Sequence, residues 1–351
     1  MTSDPISQSQ TAKILVVGLP ASGKSTFIGA LFNVLEAGDE SIACRWERMP
    51  DDASYAHELA RAWIECRSPK RNSAGITQQV ELHLTHRATD GTFDIVFPDV
   101  AGELFERQWQ LRTMAPSYAT DVKSASGIIL FISPTNLVRA IPLRKDDSDM
   151  IALLSGSLGI VDSGVVELHS VPASADSGRD SGVNNTDITD NANDAAAMYS
   201  DFPTDSLAAT PEQRRLVEVI ARHPLRTPTQ VILVELLQTI LRLRAGLPLR
   251  LVIVISAWDA QLMVDASVTP QSWLESDVPL LAQFIEANSE HLPTLAFGIS
   301  AQGGDYENPD ELAHLQGHVT DYIARVIVST NTGSKSHDIT LPVAWIATGH
   351  A

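Results

Sequence analysis

One short stretch near the N-terminus limits the folds open to this chain more than any other. The largely apolar run 13–17 leads into residues 18–25, which fit the pattern G-x-x-x-x-G-K-[ST] at every fixed position. Such a loop joins a strand to a helix and turns its backbone N–H groups toward phosphate oxygens. The sequence therefore predicts a phosphate-binding loop whose contact residues are Gly18, Pro20, Ala21, Ser22, Gly23, Lys24, Ser25 and Thr26.

Within this loop, two side chains carry the predicted chemistry. Lys24 would neutralise the terminal phosphates of a nucleotide, and the Ser25 hydroxyl would occupy one position around Mg²⁺. Pro20 and Ala21 stand where glycine is frequent, which we expect to stiffen the loop.

Charge and cysteine content exclude several classes of function. The 351 residues carry a formal net charge of −18, from 25 basic and 43 acidic side chains, which argues against a general nucleic-acid binder. Two cysteines suggest neither a disulfide framework nor a metal cluster, so we expect a reducing, cytoplasmic location. Residues 1–10 show no signal sequence, and the most apolar run, 231–241, is shorter than the roughly 20 residues of a transmembrane helix.

Helical spacing alternates with short apolar runs along most of the chain. Alternation over 80–85, a turn at Asp90-Gly91 and the run 93–97 predict an antiparallel hairpin, while 128–132 and 251–255 are typical of central parallel strands. We predict a three-layer α/β fold of the P-loop NTPase type, with a mostly parallel sheet and one antiparallel hairpin strand. The predicted helices cover 26–35, 51–66, 229–244, 270–287 and 310–328, and a further strand covers 294–299.

A change in composition divides the chain. Residues 146–210 contain 12 acidic side chains and one basic one and are rich in Ser, Asn and Gly. We predict a flexible N-terminus at 1–12, one domain over 13–330 interrupted by an acidic, mostly flexible insertion at 140–210, and a C-terminal tail at 331–351. The insertion is either a partner-binding arm or a solvated spacer.

A second motif follows the hairpin strand. Asp99 at the strand end can hold Mg²⁺, directly or through water, and Gly102 is spaced so that its N–H could meet a γ-phosphate. That contact exists with three phosphates and is lost with two, which makes the element a nucleotide-state switch.

Two loops later in the chain contain groups that could bind the base of a nucleotide. Asp259 ends the motif 256–259 at the place where guanine-binding proteins put an aspartate, whose carboxylate accepts from N1–H and the exocyclic amine. Adenine lacks that donor pair, so a buried carboxylate discriminates against it. In the loop of Ser300, Ala301 and Gln302, the N–H of Ala301 is expected to meet the guanine oxygen.

The phosphate loop, the motif with Asp99 and Gly102, the motif 256–259 and the loop 300–302 follow one another along the chain. Taken in that order, they resemble the motifs of the translation-factor-related P-loop GTPases, and the resemblance covers about 13–135 and 229–328. The chain is similar, more narrowly, to the bacterial double-GTPase family, on Gly-Leu-Pro-x-x-Gly-Lys-Ser-Thr, Asp-x-Ala-Gly-Glu and a strand ending in Ser-x-Trp-Asp. The resemblance implies a switch that binds GTP and GDP with Mg²⁺ and hydrolyses GTP slowly. It also implies a bacterial multi-protein signalling or conflict system, with protein partners at the switch regions or the insertion.

Some positions depart from the GTPase pattern and leave alternatives open. The lysine expected before Asp259 is missing, and Trp258 either covers the base or points into the core. Glu103 stands where many GTPases have a water-positioning glutamine, and either orients water or is a solvated surface residue. Thr77 is the best candidate for the switch threonine, a Mg²⁺ ligand, and Ser73 is the second. A cation for phosphoryl transfer comes either from a partner or in cis from one of Lys70, Arg71, Arg107 and Arg112.

Two rival functions follow from these departures. The first is a nucleotide-binding scaffold with negligible turnover that recruits a partner. The second is an ATPase, because the missing lysine weakens the case for guanine.

Overall fold

The computed structural model describes residues 10–69, 78–99, 102–139, 222, 224, 227–317 and 323–349. These residues contain one nine-stranded sheet in the order β2-β3-β4-β1-β5-β6-β7-β8-β9. The strands are β1 (Gln10–Val17), β2 (Cys44–Arg48), β3 (Gln78–His86), β4 (Thr92–Asp99), β5 (Gly127–Ile132), β6 (Arg250–Ser256), β7 (Thr294–Ser300), β8 (Ile327–Thr330) and β9 (Lys335–Ser336).

The middle of the sheet is parallel. β4, β1, β5, β6 and β7 are parallel neighbours, and only β3 and β8 run against the rest. Every residue of β5 is buried, because helices cover both faces of a parallel sheet and leave no polar side. The predicted α/β fold is confirmed, and the carboxyl ends of the parallel strands meet at one edge.

Helices lie on both faces of the sheet. They are α1 (Lys24–Ala37), α2 (Ser54–Ile64), α3 (Gly102–Leu111), α4 (Pro116–Ser124), α5 (Thr229–Leu243), α6 (Trp258–Val264), α7 (Pro270–Asp277), α8 (Pro279–Ala287), α9 (Pro309–Gly317) and α10 (Leu341–Thr348). Successive side chains of β1 point to opposite faces of the sheet. Ile14 and Val16 pack with α1, α2 and α10 on one face, whereas Leu15 and Val17 pack with α3 to α8 on the other.

The structure corrects the predicted elements in three places. The predicted helix 310–328 is wrong at its end, because α9 stops at Gly317 and β8 begins at Ile327. The predicted helix 270–287 is divided into α7 and α8 at Pro279, which starts a new helix because it has no N–H to continue the first. β2 and α4 were not predicted.

Residues assigned to a C-terminal tail at 331–351 supply part of this core. Ile346 of α10 packs so closely on Gly127 that a Cβ there would lie 2.3 Å from its Cγ2. The Asp338 carboxylate accepts from the N–H of Ala43 at 2.7 Å, and Thr340 Oγ1 accepts from the N–H of Cys44 at 3.2 Å. The connection between β9 and α10 therefore secures the entry to β2.

Contacts group residues 1–139 with residues 219–351 in one compact unit. The predicted insertion at 140–210 and the N-terminal residues 1–9 lie outside the described residues. Among the residues described, no helix combines the length and the hydropathy that crossing a bilayer requires.

Candidate functional site

The predicted phosphate loop connects β1 to α1, as its sequence requires. Gly23 caps α1 in the left-handed region, with φ 91°, a conformation that favours glycine. Lys24 is 7% exposed, and its Nζ donates to the carbonyl oxygens of Gly18 at 2.7 Å and Leu19 at 3.0 Å. The ammonium group is thus held over the loop, next to where phosphate oxygens would enter.

Ala21 is the strained residue of this loop. Its φ is 54°, in a region that costs a residue with a Cβ roughly 1 kcal/mol. The amide of Asn136 donates to the Ala21 carbonyl at 3.1 Å and fixes this conformation from the end of β5. The expectation of a stiff loop at Pro20 and Ala21 agrees with this geometry.

The predicted Mg²⁺ ligands lie partly within the described residues. Ser25 is half-buried in the first turn of α1, and β4 ends at Asp99 beside β1. The Ser25 hydroxyl is an oxygen donor of the kind that Mg²⁺ binds. Thr77 lies outside the described residues.

The second motif touches the phosphate loop directly. A Cβ on Gly102 would lie 2.4 Å from the backbone nitrogen of Pro20, so only glycine permits α3 to begin there. Glu103 follows on the exposed side of the first turn of α3. The start of α3 and the phosphate loop therefore form one surface.

A carboxylate that sequence reasoning missed lies one turn further along α3. Glu106 is half-buried, and burial raises the pKa of its carboxyl group, with a smaller raising effect from Glu103 and an opposing one from Lys24. The spacing from Gly102 could have indicated it, since residues four apart share a helix face. Its charge interacts with that of Lys24.

Arg112 does not face this site as a free cation. Its guanidinium lies 4.3 Å from the ring centroid of Trp109 and pairs with Glu235 of α5, with Nη1 2.5 Å from Oε1. The arginine joins α3 to α5.

A cavity of about 540 Å³ opens beside the phosphate loop, along the carboxyl ends of β5, β6 and β7. It brings together residues that are distant in sequence and that were predicted as nucleotide contacts. Those that line it are Ala21, Gly23, Thr26, Asp259, Ser300, Ala301 and Gln302. Phosphate and base elements thus share one space.

Trp258 points into the core, which settles the alternative left open by the sequence. It is 0% exposed, and a Cβ on Gly298 of β7 would lie 2.1 Å from its ring. Ala257 adopts φ 48° to start α6, and this turn leaves Asp259 half-exposed at the cavity. The buried indole therefore anchors the turn that carries the predicted base carboxylate.

The last predicted loop is held from both sides. Ser300 is 1% exposed, and its Oγ accepts from the N–H of Gly303 at 3.1 Å. The Ala301 carbonyl accepts from Nε1 of Trp63, on α2, at 2.6 Å. Sequence analysis gave no sign of this contact, since Trp63 has the spacing of an ordinary core residue.

Known proteins were compared with the chain. A family model described as Double-GTPase 1 matches residues 15–152 and 183–346. Among solved structures, Roco2 RocCORdC of Methanosarcina barkeri bound to GDP matches at 9% identity and a TM-score of 0.27, over 95% of this chain and 53% of that chain. The present chain thus spans about half the length of that protein. No curated protein matches the present chain.

Proposed function

Given that the chain belongs to the Double-GTPase 1 family of P-loop GTPases, we propose that it is a Mg²⁺-dependent molecular switch. It binds GTP and hydrolyses it slowly to GDP and phosphate. The observation that carries this proposal is the single cavity that joins the phosphate loop to Asp259. A nucleotide with its phosphates beside Gly23 and its base beside Asp259 would fill that space.

The charge of the cavity favours guanine. Asp259, Asp305 and Glu307 line it, and none of the described lining residues is Lys, Arg or His. Guanine presents two adjacent N–H donors to a carboxylate, whereas adenine presents an unprotonated ring nitrogen there. None of the described residues forms a hydrogen bond or ion pair with Asp259, so its oxygens are available to such donors. The acidic lining thus offers acceptors to which guanine, unlike adenine, presents two donors.

At the phosphate end, Lys24 would exchange the carbonyls of Gly18 and Leu19 for β- and γ-phosphate oxygens. Ser25 and Asp99, with Thr77, would hold Mg²⁺, which when bound neutralises charge on the β- and γ-oxygens. The N–H of Gly102 would meet the γ-phosphate, and Glu103 would orient the attacking water. These roles account for the predicted switch.

The setting of the protein forms part of the proposal. Cys44 and Cys66 are both free thiols, which suits a reducing cytoplasm. Partners would bind at the switch regions or at the acidic insertion, within a bacterial signalling or conflict system. A scaffold with negligible turnover is the second candidate, because Glu103 and Glu106 lie at the start of α3, where Glu106 interacts with Lys24, and their negative charge would slow phosphoryl transfer.

Calorimetric titration of the purified chain with GDP and with ADP, each with Mg²⁺, tests the nucleotide. We expect GDP to bind at least about 100-fold more tightly, as a site built to pair a donor group discriminates strongly. Equal binding of ADP would favour an ATPase, and no binding of either would refute a nucleotide switch.

Phosphate release in a single turnover of GTP then tests the enzyme. Release above that of a Lys24→Ala variant is expected for a GTPase. GDP binding without release would instead leave the scaffold as the function.

A further inference from the structure

We propose that Trp63 and Arg325, which lie outside the cavity, are positioning residues for base recognition. Together they hold the loop of Ala301 against α2, so that its N–H groups are fixed before the nucleotide arrives. This inference rests on the proposed guanine-binding function and deepens it.

The peptide that follows Ala301 is held by a single hydrogen bond from α2. Its carbonyl accepts from Nε1 of Trp63 at 2.6 Å, and Trp63 itself is 1% exposed. The described chain has no cis peptide bonds, so the N–H of Gln302 points away from the anchored carbonyl. The N–H of Gly303 is already used by Ser300 Oγ. One bond from α2 therefore sets the plane of the peptide between two cavity residues.

Arg325 in turn fixes Trp63. Its guanidinium lies 4.0 Å from the centroid of the Trp63 ring and donates to the Trp63 carbonyl at 3.2 Å. The same group donates to the phenol of Tyr306 at 3.1 Å and to Cys66 Sγ at 3.5 Å. Arg325 is 4% exposed, and a cation over an aromatic ring is held more strongly when both are removed from water. Arg325 thus contacts one face of the Trp63 ring and also binds the backbone carbonyl of the same residue.

The base loop also closes around Arg325. Gly303 has φ 83°, and a Cβ there would lie 2.4 Å from the carbonyl oxygen of Arg325. Burial raises the pKa of Tyr306 to about 12, so its phenol accepts from the guanidinium without adding a charge. Two residues that follow the predicted contacts are therefore packed on the same arginine.

Preorganisation explains why such a cluster belongs beside a base site. A loop that is ordered during folding does not lose conformational freedom on binding, and the affinity rises accordingly. α2 is itself fixed to the phosphate-loop helix, because the buried amide of Asn33 donates to the carbonyl of Ala60 at 3.0 Å. The base loop and the phosphate loop are thus attached to one pair of helices.

The test uses Trp63→Phe in the full chain, which keeps a ring under Arg325 but removes the Nε1–H donor together with part of the indole ring. We expect the GDP affinity to fall by about 10-fold, through faster dissociation, since one hydrogen bond contributes of this order. The ratio of GDP to ADP affinity should fall by the same factor. The matched control is Trp46→Phe, because the buried Nε1 of Trp46 has no hydrogen-bond partner in the described structure. It should leave both affinities unchanged.

The outcomes separate the two proposals. If the wild-type chain does not bind GDP, the proposed function fails, and this inference fails with it. If the wild type binds GDP but Trp63→Phe binds it equally well, or loses GDP and ADP affinity alike, the positioning role alone is refuted. Should Trp63→Phe unfold, Arg325→Lys, which keeps the charge but loses the planar stack, should lower the same ratio by several-fold.

Discussion

At the phosphate end of the site, Lys24 reaches back six residues to the carbonyl of Gly18. At the base end, Trp63 reaches across 238 residues to the carbonyl of Ala301, and Arg325 across 262 to that of Trp63. The first end is made by one continuous stretch of chain. The second exists only when α2, the loop after β7 and Arg325 have come together.

In the proposed site, this difference assigns phosphate binding to one end and discrimination between bases to the other. A continuous loop can bind phosphates wherever a strand and a helix support it, whatever the base. Selection of the base depends on tertiary packing, so it is the property that distant mutations can change. Changes at the phosphate end should therefore weaken GDP and ADP together, and changes at the base end should weaken GDP alone.

The largest effect is expected from Lys24→Ala. Loss of the buried ammonium removes charge-assisted bonds to phosphate, so the affinity for GTP, GDP and ADP should each fall on the order of 100-fold or more. Calorimetry measures this, with Lys123→Ala, an exposed lysine on α4, as the control. A loss confined to GDP would contradict the division between the two ends.

Asp259→Asn should lower GDP affinity by about 100-fold and leave ADP affinity unchanged, since the amide cannot accept from both guanine donors. The same variant should gain affinity for XDP, whose base has an oxygen where guanine has its amine. Competition binding with the three nucleotides measures this, and Asp310→Asn in the first turn of α9 is the exposed control. Equal losses for GDP and ADP would show that Asp259 acts through stability instead.

Gly298→Ala tests the packing beneath Asp259. The added Cβ would lie 2.1 Å from the Trp258 ring, so the free energy of unfolding should fall by about 1–3 kcal/mol. GDP affinity should fall several-fold as the turn at Ala257 shifts. Denaturant unfolding provides the measurement, and Gly317→Ala, where a Cβ meets nothing within 4 Å, should be nearly neutral. An unchanged midpoint for Gly298→Ala would disprove the close contact.

The smallest effect is expected from Glu106→Gln, at the phosphate end. At a pH above its raised pKa the wild-type carboxylate is charged, so the variant should there bind GTP about 2–5-fold more tightly. Burial raises the pKa of Glu106, so the wild-type group becomes neutral as the pH falls through that raised value, and the difference should then vanish. Titrations between pH 5 and 8 compare the two proteins with Glu36→Gln, on an exposed residue of α1. A difference that persists at low pH would exclude charge as its cause.

Local chemistry decided which features the sequence could predict. The parallel strands and the strand-to-helix connection around Gly23 depend on spacing within a few residues, and both have the predicted place in the structure. The strand β8 was predicted as helix because its apolar residues continue the pattern of α9. Two sequence alternatives needed three-dimensional contacts: Trp258 is buried against Gly298, and Arg112 is paired with Glu235.

Long-range contacts account for what sequence reasoning missed. Trp63 has the spacing of a core residue on α2, and nothing near Ala301 in the sequence points to it. The charge interaction between Glu106 and Lys24 could not be predicted, because it depends on how α3 approaches the phosphate loop in the folded structure. The roles of Thr77 and of residues 140–210 stay predictions.

The hydrogen bonds that join Asp338 to Ala43 and Thr340 to Cys44 can form only late in the synthesis of the chain. The second pair is separated by 296 residues. At about 5–20 residues per second, the ribosome needs roughly 15–60 s to make that length of chain. Until then Ile42 and Cys44, both buried in the finished domain, have no C-terminal segment to cover them. During every round of synthesis, β2 is thus exposed to chaperones, or to other nascent chains, for roughly 15–60 s.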